Sequence, residues 1–250
     1  MKAVGVAGLG LIGGSIARRL SLEGIRVVGC DVPGVRRRAL AAGAVAATRS
    51  AVERVASEVD IIVLAAPPRA NRALLRRIAS HANPGVIVTD VSSVKAEICA
   101  LARRLRVPDF VGGHPMAGDA RGGFAASRPE LFEGQTWALT PAGSSREAVR
   151  ATMKLVKLLG ARPRSMSVRD HDRAMAYLSH VPQIVAWALE QSAASDATAR
   201  RHRALAGPGF RDMTRLARSP RPLWREILGE NADEIDRALV ALKRRLEGCA

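Results

Sequence analysis

Ala3-Val4-Gly5-Val6-Ala7-Gly8-Leu9-Gly10-Leu11-Ile12-Gly13-Gly14-Ser15 decides the fold. Its first five residues form an apolar run of strand length, the glycines follow at once, and a helical pattern continues through Ile16, Ala17 and Leu20 to Gly24. A second strand over residues 26–29 ends at Cys30-Asp31, twenty-three residues past Gly8. Alone, G-x-G-x-x-G is a weak signal; in the order strand, turn, helix, strand, acid it points to a dinucleotide. Gly8 permits the tight turn, Gly10 lets a pyrophosphate approach the backbone, and Gly13 lets helix and strand pack closely. The unpaired N–H groups of the first helical turn, at Leu11 and Ile12, favour phosphate together with the positive end of the helix dipole. Asp31 is placed to accept hydrogen bonds from both ribose hydroxyls of NAD and to repel the 2′-phosphate of NADP. Arg36, Arg37 and Arg38 either soften that preference or line a helix surface.

Outward from this unit, strands and helices alternate. Residues 44–46 read as a short strand, 50–57 as a helix, and 60–65 as an apolar strand stopped by Pro67-Pro68. An amphipathic helix over 69–81, a strand over 86–89, a helix over 95–105 and a strand over 109–112 follow. After a loop at 118–134 come a strand at 136–140, a helix at 145–159 and a last strand at 164–168. Beyond 168 the pattern is helical, over 169–195, 211–218 and 223–246. The expected fold is α/β: an N-terminal Rossmann-type doubly wound parallel sheet over 1–168 and an all-helical C-terminal domain over 169–250.

Composition narrows the class. Hydrophobic residues make up 48% of the 250 residues and aromatics only 3%, so the core is built from Ala, Val, Leu and Ile, as suits helices on a parallel sheet. The formal charge of +16 would suit nucleic acid, but the basic residues are dispersed and few aromatics exist to stack on bases. A solvated basic surface that attracts an anionic substrate is the better reading. The three cysteines, Cys30, Cys99 and Cys249, lack metal-ligand spacing and point to a reducing compartment. The first apolar stretch is broken by glycines and runs into Arg18-Arg19-Leu20, so it is not a signal peptide, and no segment suits a membrane span. The expectation is a cytoplasmic protein without a structural metal.

Two motifs carry chemistry in the first half. Asp90-Val91-Ser92-Ser93-Val94-Lys95 follows the apolar run at 86–88, where a buried strand emerges at its carboxyl end, the ligand edge of open α/β sheets. Val111-Gly112-Gly113-His114-Pro115-Met116-Ala117-Gly118 places a histidine before a proline and among glycines, so His114 is expected to be extended and to project from a loop. In the second half, Pro182 removes the helical bond to the carbonyl of Leu178 and bends the axis beside His180. Arg211 and Arg215 share a helix face, and arginine suits bidentate carboxylate binding. Arg211 is read as structural and Arg215 as a ligand-facing residue.

Together, Gly8 to Ser15 with Asp31, Asp90 to Lys95, Gly112 to Gly118, the Ser179-His180-Val181-Pro182 helix, and Gly207 to Ser219 followed by Pro222-Leu223-Trp224-Arg225-Glu226 resemble the prephenate and arogenate dehydrogenases of tyrosine biosynthesis. The resemblance covers essentially the whole chain. It implies an NAD-dependent oxidative decarboxylation: hydride leaves C4 of a cyclohexadiene, the ring carboxylate leaves as CO2, and 4-hydroxyphenylpyruvate or tyrosine results. By position, His114 matches the catalytic histidine that accepts the proton of the substrate 4-hydroxyl, and Ser93 matches a serine touching the same hydroxyl. His180 and Arg215 match residues that bind substrate carboxylates, and Trp224 matches an aromatic residue of that pocket. A homodimer through the C-terminal helices is implied as well.

Two departures bear on substrate choice. Ala120 stands where many prephenate enzymes carry an acid, with Asp119 beside it, and Gln183 stands where several carry a second histidine. Because the last helix lies close to the end of the chain, tyrosine feedback is expected at the active site rather than in a separate sensing domain. Other readings are an amino-deoxy-prephenate dehydrogenase, a β-hydroxyacid or 6-phosphogluconate-type dehydrogenase, and a non-catalytic NAD-binding sensor. The hydroxyacid reading lacks its lysine, since Lys154 and Lys157 lie on an ordinary amphipathic helix before the boundary.

Overall fold

The computed structural model describes residues 1–81, 85–107, 109–119, 121–141 and 143–248; Ala120 and Cys249 lie outside the described residues. The chain divides into two compact units, Met1–His171 and Asp172–Ala250.

In the first unit the order is β1 (Ala3–Ala7), α1 (Leu11–Leu22), β2 (Arg26–Cys30), α2 (Pro33–Ala41), β3 (Ala47–Arg49), α3 (Val52–Ala56), β4 (Ile61–Leu64), α4 (Pro68–His81), β5 (Ile87–Asp90), α5 (Ala96–Arg104), β6 (Phe110–Pro115), a 3₁₀ turn (Phe124–Ala126), β7 (Thr136–Thr140), α6 (Arg146–Leu158) and β8 (Arg162–Ser165). The strands form one sheet in the order β3-β2-β1-β4-β5-β6-β7-β8. Successive side chains of β1 and β4 serve opposite layers. Val4, Val6, Ile61 and Val63 pack with Ile16, Leu20, Leu155 and Val156 of α1 and α6, while Ile62 and Leu64 pack with Val55, Leu75, Ile78 and Ile98 of α3, α4 and α5. Strands buried on both faces read as continuous apolar runs, which is how the sequence discloses them.

The sheet is not wholly parallel. β6 pairs parallel with β5 through Phe110 and Val111, then antiparallel with β7 through Gly112 to Pro115. His114 is therefore a strand residue opposite Ala138 rather than a loop residue; proline's preference for an extended predecessor is met by pairing. Other boundaries shift. The short strand is Ala47–Arg49 instead of 44–46, because Ala44 and Val45 are core-packed connectors, and the last strand is Arg162–Ser165 instead of 164–168.

The second unit is helical. α7 (Val168–Met175) crosses the division, followed by a π turn (Ala176–His180), α8 (Val181–Ser195), α9 (Ala197–Arg201), a 3₁₀ turn (Arg203–Leu205), α10 (Pro208–Thr214), another 3₁₀ turn (Arg215–Arg218), α11 (Arg221–Glu230) and α12 (Ala232–Glu247). The helix expected over 169–195 is thus interrupted: Pro182 sits at the start of α8 and its missing N–H is absorbed by the π turn. The helix expected over 223–246 is two helices, parted at Asn231, whose side chain leaves the surface for buried partners described below. Ala176, Val181, Ile235 and Ala238 form the small core of this unit.

Candidate active site

The strand order reverses between β1 and β4, the switch point where an open α/β sheet leaves a crevice at its carboxyl edge. Gly8 ends β1 at φ +97°, and a Cβ there would come within 2.6 Å of the Ala65 backbone. A Cβ on Gly13 would meet the Gly8 carbonyl oxygen at 1.8 Å, so only glycine lets α1 start this close to the strand. At Gly10 a Cβ would meet nothing within 4 Å. That glycine is not required by the protein's own packing, and open space lies on that side of the backbone. Gly10 is the N-cap of α1 without a side-chain capping bond, and no acid stands in the first turn, so the amide dipoles there keep their full attraction for an anion. Asp31, just past β2, accepts from Leu9 N at 2.6 Å and, through its other oxygen, from Val32 N at 2.6 Å. Its carboxylate is fixed at the rim of the glycine turn with lone pairs remaining for hydroxyl donors. These features fit the diphosphate and ribose of a dinucleotide.

Next along the same edge stands a buried cluster that the sequence motif contained without disclosing its role. Lys95 and Asp90 are both fully buried and paired, with Nζ at 2.7 and 2.6 Å from the two carboxylate oxygens. Nζ also donates to the Gly113 carbonyl at 2.7 Å, while Asp90 accepts from Gly113 N at 3.0 Å and Ser92 N at 2.9 Å. The ion pair thereby locks both polar groups of Gly113, the residue before His114. Bulk is excluded around it: a Cβ on Gly113 would lie 2.5 Å from the Asp90 carbonyl oxygen, and one on Gly112 would lie 2.3 Å from Thr140 Oγ1. Buried Asn71 of α4 donates to Ser92 Oγ at 3.0 Å and accepts from Ala66 N at 2.9 Å, tying the turn after β5 to that after β4. Ser93 follows in this braced turn, half-buried, and His114 is half-buried beyond the end of β5. His114 Nδ1 lies 3.0 Å from Nε2 of His171.

Asp119 is already engaged. Its carboxylate accepts from Arg121 N and from Arg128 Nη1, each at 3.0 Å, and the Arg121 backbone bond, then the arginine side chains, hold its carboxyl below the usual range.

In the helical unit His180 is buried, and its Nδ1 lies 3.0 Å from Asn231 Nδ2, which also donates to the Asp172 carbonyl at 2.8 Å. A carbonyl can only accept, so the nitrogen of the amide faces inward and the His180 Nδ1 must accept its second proton. With Nδ1 as acceptor, the proton of the neutral imidazole belongs on Nε2. Trp224 stands edge-on to His180, with ring centroids 6.2 Å apart, and Trp187 stands beyond it at 6.3 Å. Arg215 is exposed and lines a cavity of about 710 Å³ together with Val181, Pro182, Met213, Leu242 and Arg245. Gln183 is buried and donates to the Leu216 carbonyl at 2.8 Å. Asn231 and His171 carried no sequence reading, and Asp90 and Lys95 were read only as flanks of Ser93; the signal for Asn231 was a helix-breaking residue in an amphipathic run.

Residues 16–164 match the family model described as the prephenate dehydrogenase nucleotide-binding domain, and residues 167–248 match the prephenate dehydrogenase dimerization domain. The chain belongs to the prephenate dehydrogenase family. Within that family it is 35% identical over 239 residues to a prephenate dehydrogenase of Bacillus subtilis, covering 92% of this chain and 64% of the relative's length. The structure resembles an Aquifex aeolicus prephenate dehydrogenase in complex with hydroxyphenyl propionate and NAD+, with TM-score 0.91 and 28% identity over 99% of this chain and 89% of that one. It also resembles Synechocystis arogenate dehydrogenase, with TM-score 0.88 and 29% identity over 98% and 90%. Among the described residues, no group of metal-ligating side chains occurs and no helix is long and apolar enough to cross a membrane.

Proposed function

We propose that this chain is an NAD-dependent prephenate dehydrogenase that converts prephenate to 4-hydroxyphenylpyruvate and CO2. The observation that carries the reading is the Asp90–Lys95 clamp on Gly113, which fixes His114 on the sheet edge that also bears the open Gly10 turn and Asp31. A buried ion pair is a costly way to hold a backbone unless the next side chain needs an accurate position.

Gly8, Gly10, Gly13, Leu11 and Ile12 hold the dinucleotide diphosphate by backbone approach and amide dipoles, and Asp31 accepts from the adenosine ribose. When bound, NAD supplies the acceptor for the C4 hydride. His114 receives the 4-hydroxyl proton as general base, and Ser93 orients that hydroxyl. His180 donates through Nε2–H to a substrate carboxylate, Arg215 pairs with carboxylate as a cation, and Trp224 walls the ring's pocket. Residues 1–168 serve the cofactor; 169–250 bind substrate and form a homodimer. The setting is cytoplasmic.

Arogenate dehydrogenation is the second reading. It differs at the side-chain amine, which a free carboxylate would favour, and Asp119 is instead committed to Arg121 and Arg128. Parallel steady-state assays with prephenate and arogenate, with NADP as the cofactor control, test this. Prephenate is expected to have the larger kcat/KM, and a larger value for arogenate overturns the assignment.

A further inference from the structure

His171 is the last residue of the first unit and is fully buried in α7. Its Nε2 lies 3.0 Å from His114 Nδ1, with the ring planes at 63° and the centroids 5.2 Å apart. Two ring nitrogens at this distance share one proton: with none they repel, and with two the protons collide. Only two neutral arrangements exist. In one, His171 donates and His114 carries its own proton on Nε2, which makes His114 a donor at its other nitrogen. In the other, His114 Nδ1–H donates to His171 and His114 Nε2 presents a lone pair. A base needs the second arrangement.

We propose that His171 is a positioning residue that accepts from His114 Nδ1–H and thereby fixes the catalytic tautomer and ring orientation of His114. The inference rests on the reading of His114 as base. When the substrate hydroxyl gives its proton to His114 Nε2, the O–H bond breaks, an Nε2–H bond forms, and His114 becomes an imidazolium. The bond from its Nδ1–H to His171 then becomes charge-assisted and stronger, so His171 stabilises the charge as it develops. Asp90, which could otherwise attract that proton, is saturated by Lys95, Gly113 and Ser92. Holding a functional imidazole through its second nitrogen is a general device, and loss of such a partner commonly costs about 10- to 100-fold.

The test uses the full chain. Nitrogen-15 NMR of the histidine rings in the ligand-free protein reads the His114 tautomer directly, and it does so whether or not prephenate is the substrate. The wild type is expected to hold the proton on Nδ1. His171→Gln, whose amide oxygen can take the place of Nε2 as acceptor, is expected to keep that tautomer and remain within a few-fold of wild-type kcat. His171→Leu is expected to release the tautomer and to lower kcat by about 10- to 100-fold with KM for prephenate little changed. A wild-type His114 protonated on Nε2, or a tautomer that His171→Leu leaves unaltered, overturns the proposal. If His171→Leu does not fold, the wild-type and His171→Gln spectra decide it. A correct tautomer in a protein inactive on prephenate would instead count against the proposed reaction.

Discussion

The two units fix their candidate site groups by opposite means. In the sheet unit, backbone does the positioning: Gly8 and Gly13 admit no side chain, and the Asp90–Lys95 pair grips both polar groups of Gly113. In the helical unit, the helices break at the π turn ending in His180 and at Asn231, and one amide donates to the histidine. The first arrangement uses charge that cannot be removed singly, the second a neutral hydrogen bond that sets a proton's place. The contrast teaches that position and protonation are secured separately, the former by rigid backbone and the latter by single partners.

The largest effect is expected at the reacting group itself. His114→Asn should lower kcat by about 10²–10⁴-fold while KM for prephenate stays within a few-fold, measured by steady-state NADH formation. Near-normal turnover would remove His114 from the mechanism. Breaking the backbone clamp comes next. Lys95→Met leaves Asp90 charged and buried, and should cost about 3–5 kcal/mol of stability by denaturant unfolding; an unchanged midpoint would show that the clamp is not structural.

The glycine turn sharpens the comparison further. Gly10→Ala meets nothing in the protein, so its unfolding midpoint should match the wild type, while NAD affinity by calorimetry falls at least ~10-fold, about 1.4 kcal/mol. Equal NAD affinity would place the diphosphate elsewhere. Gly13→Ala, with its Cβ at 1.8 Å from the Gly8 carbonyl oxygen, should lose stability and binding together. The helical unit should respond more mildly. Asn231→Leu removes the donor to the Asp172 carbonyl and His180, and should cost about 1–3 kcal/mol. Asn231→Asp offers an acceptor to Nδ1, moves the His180 proton there, and should raise KM for prephenate more than kcat falls. Equal kinetics in both variants would mean that the His180 tautomer is immaterial.

The sheet unit was readable because its constraints are local. Glycine spacing, apolar runs and an acid after the second strand are consequences of a few neighbouring backbone angles, and they placed the switch point and the carboxyl edge. What escaped came from distant pairing. β7 runs antiparallel beside β6, so His114 lies in a ladder; nothing near Gly112-Gly113-His114 in the chain reports Leu139 and Ala138 as partners. Lys95 belonged to a motif read for Ser93, because a buried lysine looks like a helix-start lysine until Gly113 is beside it. His171 and Asn231 were invisible for the same reason: one partners a residue fifty-seven positions away, the other one fifty-one away. An interruption of the helix at Pro182 beside His180 was legible, since proline acts on its own turn, and it takes the form of the π turn ending at His180.

The most direct test of the central claim is the stoichiometry of products when the purified protein is given NAD and prephenate. NADH, CO2 and 4-hydroxyphenylpyruvate are expected in equal amounts, with NADH formation slowed by about 10²–10⁴-fold when His114→Asn replaces the wild type. NAD binding without NADH formation from prephenate or arogenate would contradict the account.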